Sequence, residues 1–195
     1  VTPNKPRGPY AKGAERREQI IQTATDVFAT DGFEGTALKR VAELVGVKEA
    51  TLFHYFSGKQ ELLTAVLAER DRRGLADTPA KEAGLALMAP IAARNRTQPG
   101  LTTLYAVASA TASNPGHDSH GYFQERFASV VRSLEDDIRE RQAAGGVRSD
   151  VSATDLARLV VAVSDGLQLQ WLYDKDVDMA DGLATFIDVL LKPPA

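Results

Sequence analysis

Cysteine is missing from all 195 residues. That excludes a disulfide framework, a thiolate metal site and a cysteine nucleophile, and makes a reducing cytoplasm the simplest home. No apolar run approaches the ~20 residues of a membrane span. The stretch up to Arg17 is rich in Pro, Gly, Lys and Arg and has no apolar signal region. Neither a membrane nor secretion is therefore expected. Sustained period-two alternation is lacking, as are internal repeats and low-complexity tracts, so a sheet or a solenoid is not expected. There is no Gly-x-Ser-x-Gly elbow and no phosphate loop. His117, Asp118 and His120 bring metal-ligating types together, but no fourth ligand stands nearby. Neither a catalytic site, a metal nor a cofactor is predicted.

What the chain does have is helical periodicity. Residues 1–13 read as a flexible basic arm. A first helix over about 14–30 carries Ile20, Ile21, Ala24, Val27 and Phe28 on one stripe and stops at Gly32. Thr36 can cap a second helix with Leu38, Val41, Ala42 and Val45 on its buried face. Gly46 offers the left-handed conformation that ends it. Val47, Leu52, Phe53 and Phe56 then recur at helical spacing. A short helix, a glycine turn and a second short helix make a helix-turn-helix, the unit that sets its second helix into the DNA major groove. Ser57 to Gln60 spells a capping box for the next helix, which runs to about Leu75. Five more helices fit the remainder. They are punctuated by Pro79, Pro90, Pro99, Asn114-Pro115-Gly116 and Gly145-Gly146, with Ser152 or Thr154 as a cap and Pro193-Pro194 at the close. The fold class is all-α, about nine helices. It divides into an arm (1–13), a helix-turn-helix domain (14–60) and a larger helical body (61–195).

The net charge of −3 hides an asymmetry. Residues 1–59 carry nine Lys/Arg against seven acids, and the first seventeen residues five against one. The body is acidic. A basic end on an acidic body suits a protein that meets DNA through that end alone.

The segment from Gly32 to Leu63 resembles the N-terminal domain of the tetracycline-repressor (TetR) family of bacterial transcriptional regulators. The resemblance rests on Asp31-Gly32-Phe33, Thr36, the run from Ala42 to Gly46-Val47, and a signature of Thr51, Leu52, Phe53, Tyr55, Phe56, Lys59 and Leu62. Lys48 and Glu49 stand where a serine often caps the recognition helix, and Phe53 where a tyrosine often reaches a phosphate. Chemistry and resemblance together nominate Lys48, Glu49, Ala50, Thr51 and His54 for base edges. Thr36, Lys39, Arg40, Tyr55 and Lys59 are nominated for phosphates.

The helix from Ser152 to Tyr173 is apolar on two faces, as a helix buried on both sides must be. The resemblance implies a homodimer through the last two helices. Leu156, Leu159, Val160, Val163 and Leu167 would meet Leu183, Phe186, Ile187 and Leu190 there. It also implies a small-molecule effector in the body. Met88, Tyr105, Tyr122, Phe123, Phe127, Gln168 and Trp171 are the candidate lining, and an apolar or aromatic effector the expectation. The reading is thus a cytoplasmic homodimer that binds a palindromic double-stranded operator as a repressor and is released by its effector. The rivals are a helical sensor or partner-binding protein that has lost DNA binding, for which Glu49 is the one feature, and an all-α enzyme.

Overall fold

A computed structural model describes residues 9–32, 37–76 and 84–193. Nine α-helices and one 3₁₀ turn, with no strand, make up the regular structure of the described residues. Helix α1 (Pro9–Asp31), α2 (Ala37–Val45) and α3 (Glu49–Leu52) form the head. Helix α4 (Lys59–Ala76) leads away from it. A 3₁₀ turn (Gly84–Leu87) precedes α5 (Met88–Arg96), α6 (Pro99–Thr111), α7 (His120–Ala143), α8 (Ala153–Tyr173) and α9 (Met179–Leu190). Thr36, Pro79 and residues 1–8 of the expected arm lie outside the described residues.

Helix α1 starts at Pro9, so residues 9–13 are helical and not part of a loose arm. Proline at a first helical position gives up an N–H that has no partner in the helix anyway. The same reasoning covers Pro90. It was expected to interrupt its segment but is the third residue of α5, within the first turn, where N–H groups lack intrahelical acceptors.

Helix α2 ends as a Schellman motif. Gly46 has φ +75°, its N–H donates to the Glu43 carbonyl at 3.1 Å, and the Val47 N–H donates to the Ala42 carbonyl at 2.9 Å. The second helix of the motif is shorter than the apolar spacing suggested. Only Glu49–Leu52 is α-helical, and the Thr51, His54 and Tyr55 N–H groups all donate to carbonyls three residues back. Such tight bonds do not propagate far. Leu52 and Phe56, at 0% and 2% exposure, still anchor both ends of the turn in the core. The capping box is also displaced: the Ser57 N–H donates to Glu61 Oε2 at 2.6 Å, so Glu61 and not Gln60 closes it.

The apolar core falls into two clusters. The first joins Ile20, Phe28, Val41 and Leu52 of the head to Leu62 and Val66 of α4, Leu101, Leu104 and Tyr105 of α6, and Phe123 of α7. It does not divide at residue 60, because α4 and α6 complete the head's own interior. The second cluster joins Ala92 of α5, Leu134 and Ile138 of α7, Leu156, Val160 and Trp171 of α8, and Met179 and Leu183 of α9. Gly100, at the start of α6, makes the head-to-body join close. A Cβ there would stand 1.9 Å from the Phe28 carbonyl oxygen, so only glycine lets the two helices approach this far.

Candidate nucleic-acid interface and body cavity

On the head, Lys39, Arg40, Lys48, Glu49, Ala50, His54 and Lys59 are exposed, and Thr51 and Tyr55 are half-buried. The Gly46 turn and the buried Leu52 hold α3 so that residues 48–50 face outward. Their side chains are free of packing duty, as an element that reads base edges requires. Two of the basic groups are engaged locally: Arg40 Nε pairs with Asp31 at 3.1 Å and Lys39 lies 4.0 Å from Glu43. These pairs are solvent-exposed and weak, so a phosphate can displace them.

Two arginines counted toward the basic end have structural duties. Arg16 Nη1 donates to the Val45 carbonyl at 2.9 Å, satisfying a carbonyl at the C-terminus of α2. Arg17 stacks over the Phe56 ring at 4.7 Å and donates to Glu61 Oε1 at 2.9 Å. Tyr55 packs against the head core and walls an open groove with Lys12, Gly13, Glu15, Arg16 and Gln19.

In the body, a cavity of about 270 Å³ opens beside a smaller one of about 90 Å³. They share Arg70, Ile91, Asn95, Arg126 and Val130. Of the seven sequence-nominated lining residues, Met88, Tyr105 and Gln168 are there. Phe123 and Phe127 pack with the first cluster, and Tyr122 stacks edge-on against Phe123 at 5.1 Å. Trp171 is buried in the second cluster under Lys175. The expected aromatic-lined pocket is therefore corrected. Its chemistry comes from Arg70 and Asp71 of α4, Arg94 and Asn95 of α5, Arg126 of α7 and Asp165 of α8.

These groups are tightly wired. Arg126 Nε donates to Asp71 Oδ2 at 2.6 Å, and its Nη1 donates to Tyr105 Oη at 3.1 Å. The Tyr105 hydroxyl in turn donates to Asp165 Oδ1 at 3.2 Å. Arg70 Nη1 donates to Asp71 Oδ1 at 3.2 Å, and its Nη2 to Asn95 Oδ1 at 2.8 Å; Asn95 Nδ2 donates on to Gln168 at 3.2 Å. Burial pushes the Asp165 carboxyl above its usual range, against the opposing pull of Arg126 and the Tyr105 hydrogen bond. Burial lowers the Arg70 guanidinium, with Asp71 opposing and Arg126 adding to the fall. For Arg126, burial works against the charge, but Asp71, Tyr105 and Tyr122 together outweigh it and its affinity for the proton rises.

Neighbours of the cavity residues on α4 grip the head. Glu69, 6% exposed, accepts from Arg72 Nε at 2.6 Å and Arg73 Nε at 2.7 Å. Arg73 reaches across to α1, donating to Asp26 Oδ1 at 2.6 Å and to the Gln22 side chain. Arg72 holds the Glu69 carboxyl down to about 2 against the effect of burial, with Arg73 and Gln22 assisting. Within residues 69 to 73, Arg70 and Asp71 thus wall the cavity while Glu69 and Arg73 form the clasp on α1.

Helices α8 and α9 share the expected dimer residues unequally. Leu156, Val160 and Leu183 are 3%, 0% and 0% exposed, so they are corrected to core residues of their own chain. Val163, Leu167, Phe186 and Ile187 are half-buried, and Leu159 is half exposed. The side chain of Leu190 lies outside what is described. Outward from α8 stand Leu159, Ala162, Leu169 and Tyr173, the last 89% exposed, with Gly166 between them. His117 and His120 are engaged locally: His117 Nδ1 accepts from the Ser119 N–H at 3.1 Å, and His120 Nδ1 lies 2.8 Å from the Ala112 carbonyl.

Comparison with known proteins places this architecture. The family model described as bacterial regulatory proteins, tetR family, matches residues 20–66, the span from mid-α1 into α4. The HTH-type transcriptional repressor AcnR of Corynebacterium diphtheriae is 27% identical over 177 residues, covering 89% of this chain and 90% of that one. A TetR transcription regulator from Haloarcula marismortui superposes with a TM-score of 0.72 at 20% identity, over 92% of this chain and all of the other. Thermus thermophilus FadR, solved in complex with lauroyl-CoA, gives 0.57 at 20% identity, covering 89% and 92%. The relatives are regulators, which decides against the enzyme rival. Head, helical body and matched sequence agree: residues 20–66 carry the tetR-family helix-turn-helix domain, and the chain is a TetR-like DNA-binding transcriptional regulator.

Proposed function

We propose that two copies of this chain bind a palindromic operator as a repressor, and that a small molecule entering the body cavity releases it. The observation that carries this reading is the position of α4. It presents Arg70 and Asp71 to the cavity while Glu69 and Arg73 hold α1 of the head. A ligand that rearranges the salt links of Arg70 or Asp71 shifts a rigid helix whose neighbouring residues grip the DNA-binding unit. That gives the ligand a differential affinity for two head positions, as allosteric release requires.

Three supports come from the two ends of the molecule. Lys48, Glu49, Ala50, Thr51 and His54 are candidates for base edges. Lys39, Arg40, Tyr55 and Lys59, with Thr36, are candidates for phosphates. The row of Leu159, Ala162, Gly166, Leu169 and Tyr173 on α8 follows a 3-4-3-4 spacing, that of a helix seam, and a second copy of this chain is its proposed occupant. Two heads so joined would read half-sites about 34–36 Å apart. AcnR is named a repressor and FadR is seen with an acyl-CoA, which supports the same class of behaviour here.

The test is fluorescence anisotropy with DNA from upstream of the protein's own coding sequence, combined with sedimentation. The expected results are a salt-dependent complex of one dimer per palindrome and a dimer in free solution at micromolar concentration. A monomer that binds all sequences equally would overturn the reading.

A further inference from the structure

We propose that the cavity between α4, α5, α7 and α8 takes a small organic carboxylate, gripped by the guanidinium groups of Arg70 and Arg126. The inference deepens the effector reading above and rests on it only in taking this cavity as the ligand site.

This cavity is short of hydrogen-bond acceptors for its guanidinium groups. Two arginines, Arg70 and Arg126, line both of the joined cavities. A single carboxylate, Asp71, serves both Arg70 and Arg126, at 3.2 Å and 2.6 Å. A second carboxylate, Asp165, is occupied by the Tyr105 hydroxyl, and burial favours its neutral form. Arg70 is 5% exposed, and its Nε–H meets no acceptor. A buried donor left unmatched is destabilising, and more so on a charged group. An incoming carboxylate supplies what is lacking: two acceptor oxygens in the planar geometry that guanidinium matches, and one negative charge.

The alternatives fit less well. An amine would be driven against two guanidiniums and could not accept from Arg70 Nε. A neutral amide could accept but would leave the charge uncompensated. Leu75, Ile91 and Val130 give the larger cavity an apolar side that suits a short hydrocarbon portion. At about 270 Å³ with a 90 Å³ annex, the space sits near the lower limit of drug-sized pockets, ~300–1,000 Å³. That points to a metabolite-sized acid.

The experiment uses the full chain, with thermal shift and calorimetric titration. The probes are butyrate, succinate and benzoate, set against butylamine, butyramide and inorganic phosphate. At least one carboxylate is expected to raise Tm and bind once per chain, while the amine and the amide do not. Arg126→Met should weaken that binding tenfold or more, and Arg126→Lys less. Ile91→Phe, which fills the cavity and leaves the arginines in place, should abolish it, so the result does not hang on one buried charge change. Binding of butylamine or butyramide equal to butyrate, no response to any carboxylate, or phosphate as the sole ligand would each overturn the proposal. So would carboxylate binding unchanged in both Arg126→Met and Ile91→Phe. Operator release is read separately. A carboxylate that binds while the DNA complex persists would remove the effector reading and leave this inference standing. An amine that binds and releases DNA would do the reverse.

Discussion

Glu69 is a carboxylate with two guanidinium partners and almost no water. Its folded-state proton affinity lies at about 2, below the ordinary 4.5. A depressed carboxyl contributes stability in full above about 4.5 and loses it as pH falls toward 2. The wild type should therefore weaken over that acid window, and Glu69→Gln should flatten the response there. At pH 7 the variant should lose about 1–3 kcal/mol, because Arg72 and Arg73 lose the buried carboxylate they share and Arg73 keeps only Asp26 and Gln22. Chemical denaturation at pH 7 and pH 3 measures both effects; an equal loss at the two would refute this role. Gly100 makes a second residue-scale prediction. Gly100→Ala forces α6 off the Phe28 carbonyl and should cost about 1–3 kcal/mol, as overpacking does. Because that contact joins head and body, operator affinity should fall as well, in proportion to the misplacement of α1. Unchanged Tm would show that the helices separate freely.

The fates of individual elements show how much was legible in the sequence. Helix stripes, the glycine stop at position 46, Pro99 at a helix start and the Ser152 cap were all readable, because each follows from local backbone chemistry. The short α3 was not, since whether a turn propagates depends on packing from outside it. The cavity was half legible. Arg70 falls on the buried stripe of α4 after Leu63, Val66 and Leu67, and Arg126 sits three residues after Phe123 and four before Val130. A charge on an apolar stripe is the signal for the cavity that the sequence carries. The α8 seam was blurred for a related reason. A helix apolar on both sides does not announce which side its own chain takes, and only the fold assigns Leu156 and Val160 inward. Two element-scale tests follow. Leu169→Glu on the outward face should give a folded monomer, whereas Leu156→Ala should unfold by about 2–5 kcal/mol with its oligomeric state intact. Sedimentation and melting together distinguish the two faces, and a dimeric Leu169→Glu protein would place the seam elsewhere. On the head, Thr51→Ala should reduce discrimination by about 1–3 kcal/mol at one operator position. Lys59→Ala should instead reduce the salt slope by up to about 0.9. Altered sequence preference in the Lys59 variant would mean that the start of α4 faces bases.

Across the whole molecule, the cavity lies on the border between the two apolar clusters. Tyr105 belongs to the first, while Met88, Val130 and Val161 pack on the second. The protein is thus two oily compartments with a polar seam between them, and α4, α6 and α7 pass along it. Heat should find that seam. With no ligand, scanning calorimetry should resolve two overlapping transitions and a van't Hoff enthalpy below the calorimetric one. A bound acid bridging α4 and α7 would tie the compartments together, merge the peaks and raise the lower one as RT ln(1 + [L]/Kd). A single sharp transition in the unliganded protein would contradict this. If the seam behaves so, the regulator senses its ligand as a change in its own cooperativity: filled, the chain melts as one body; empty, as two that happen to be joined.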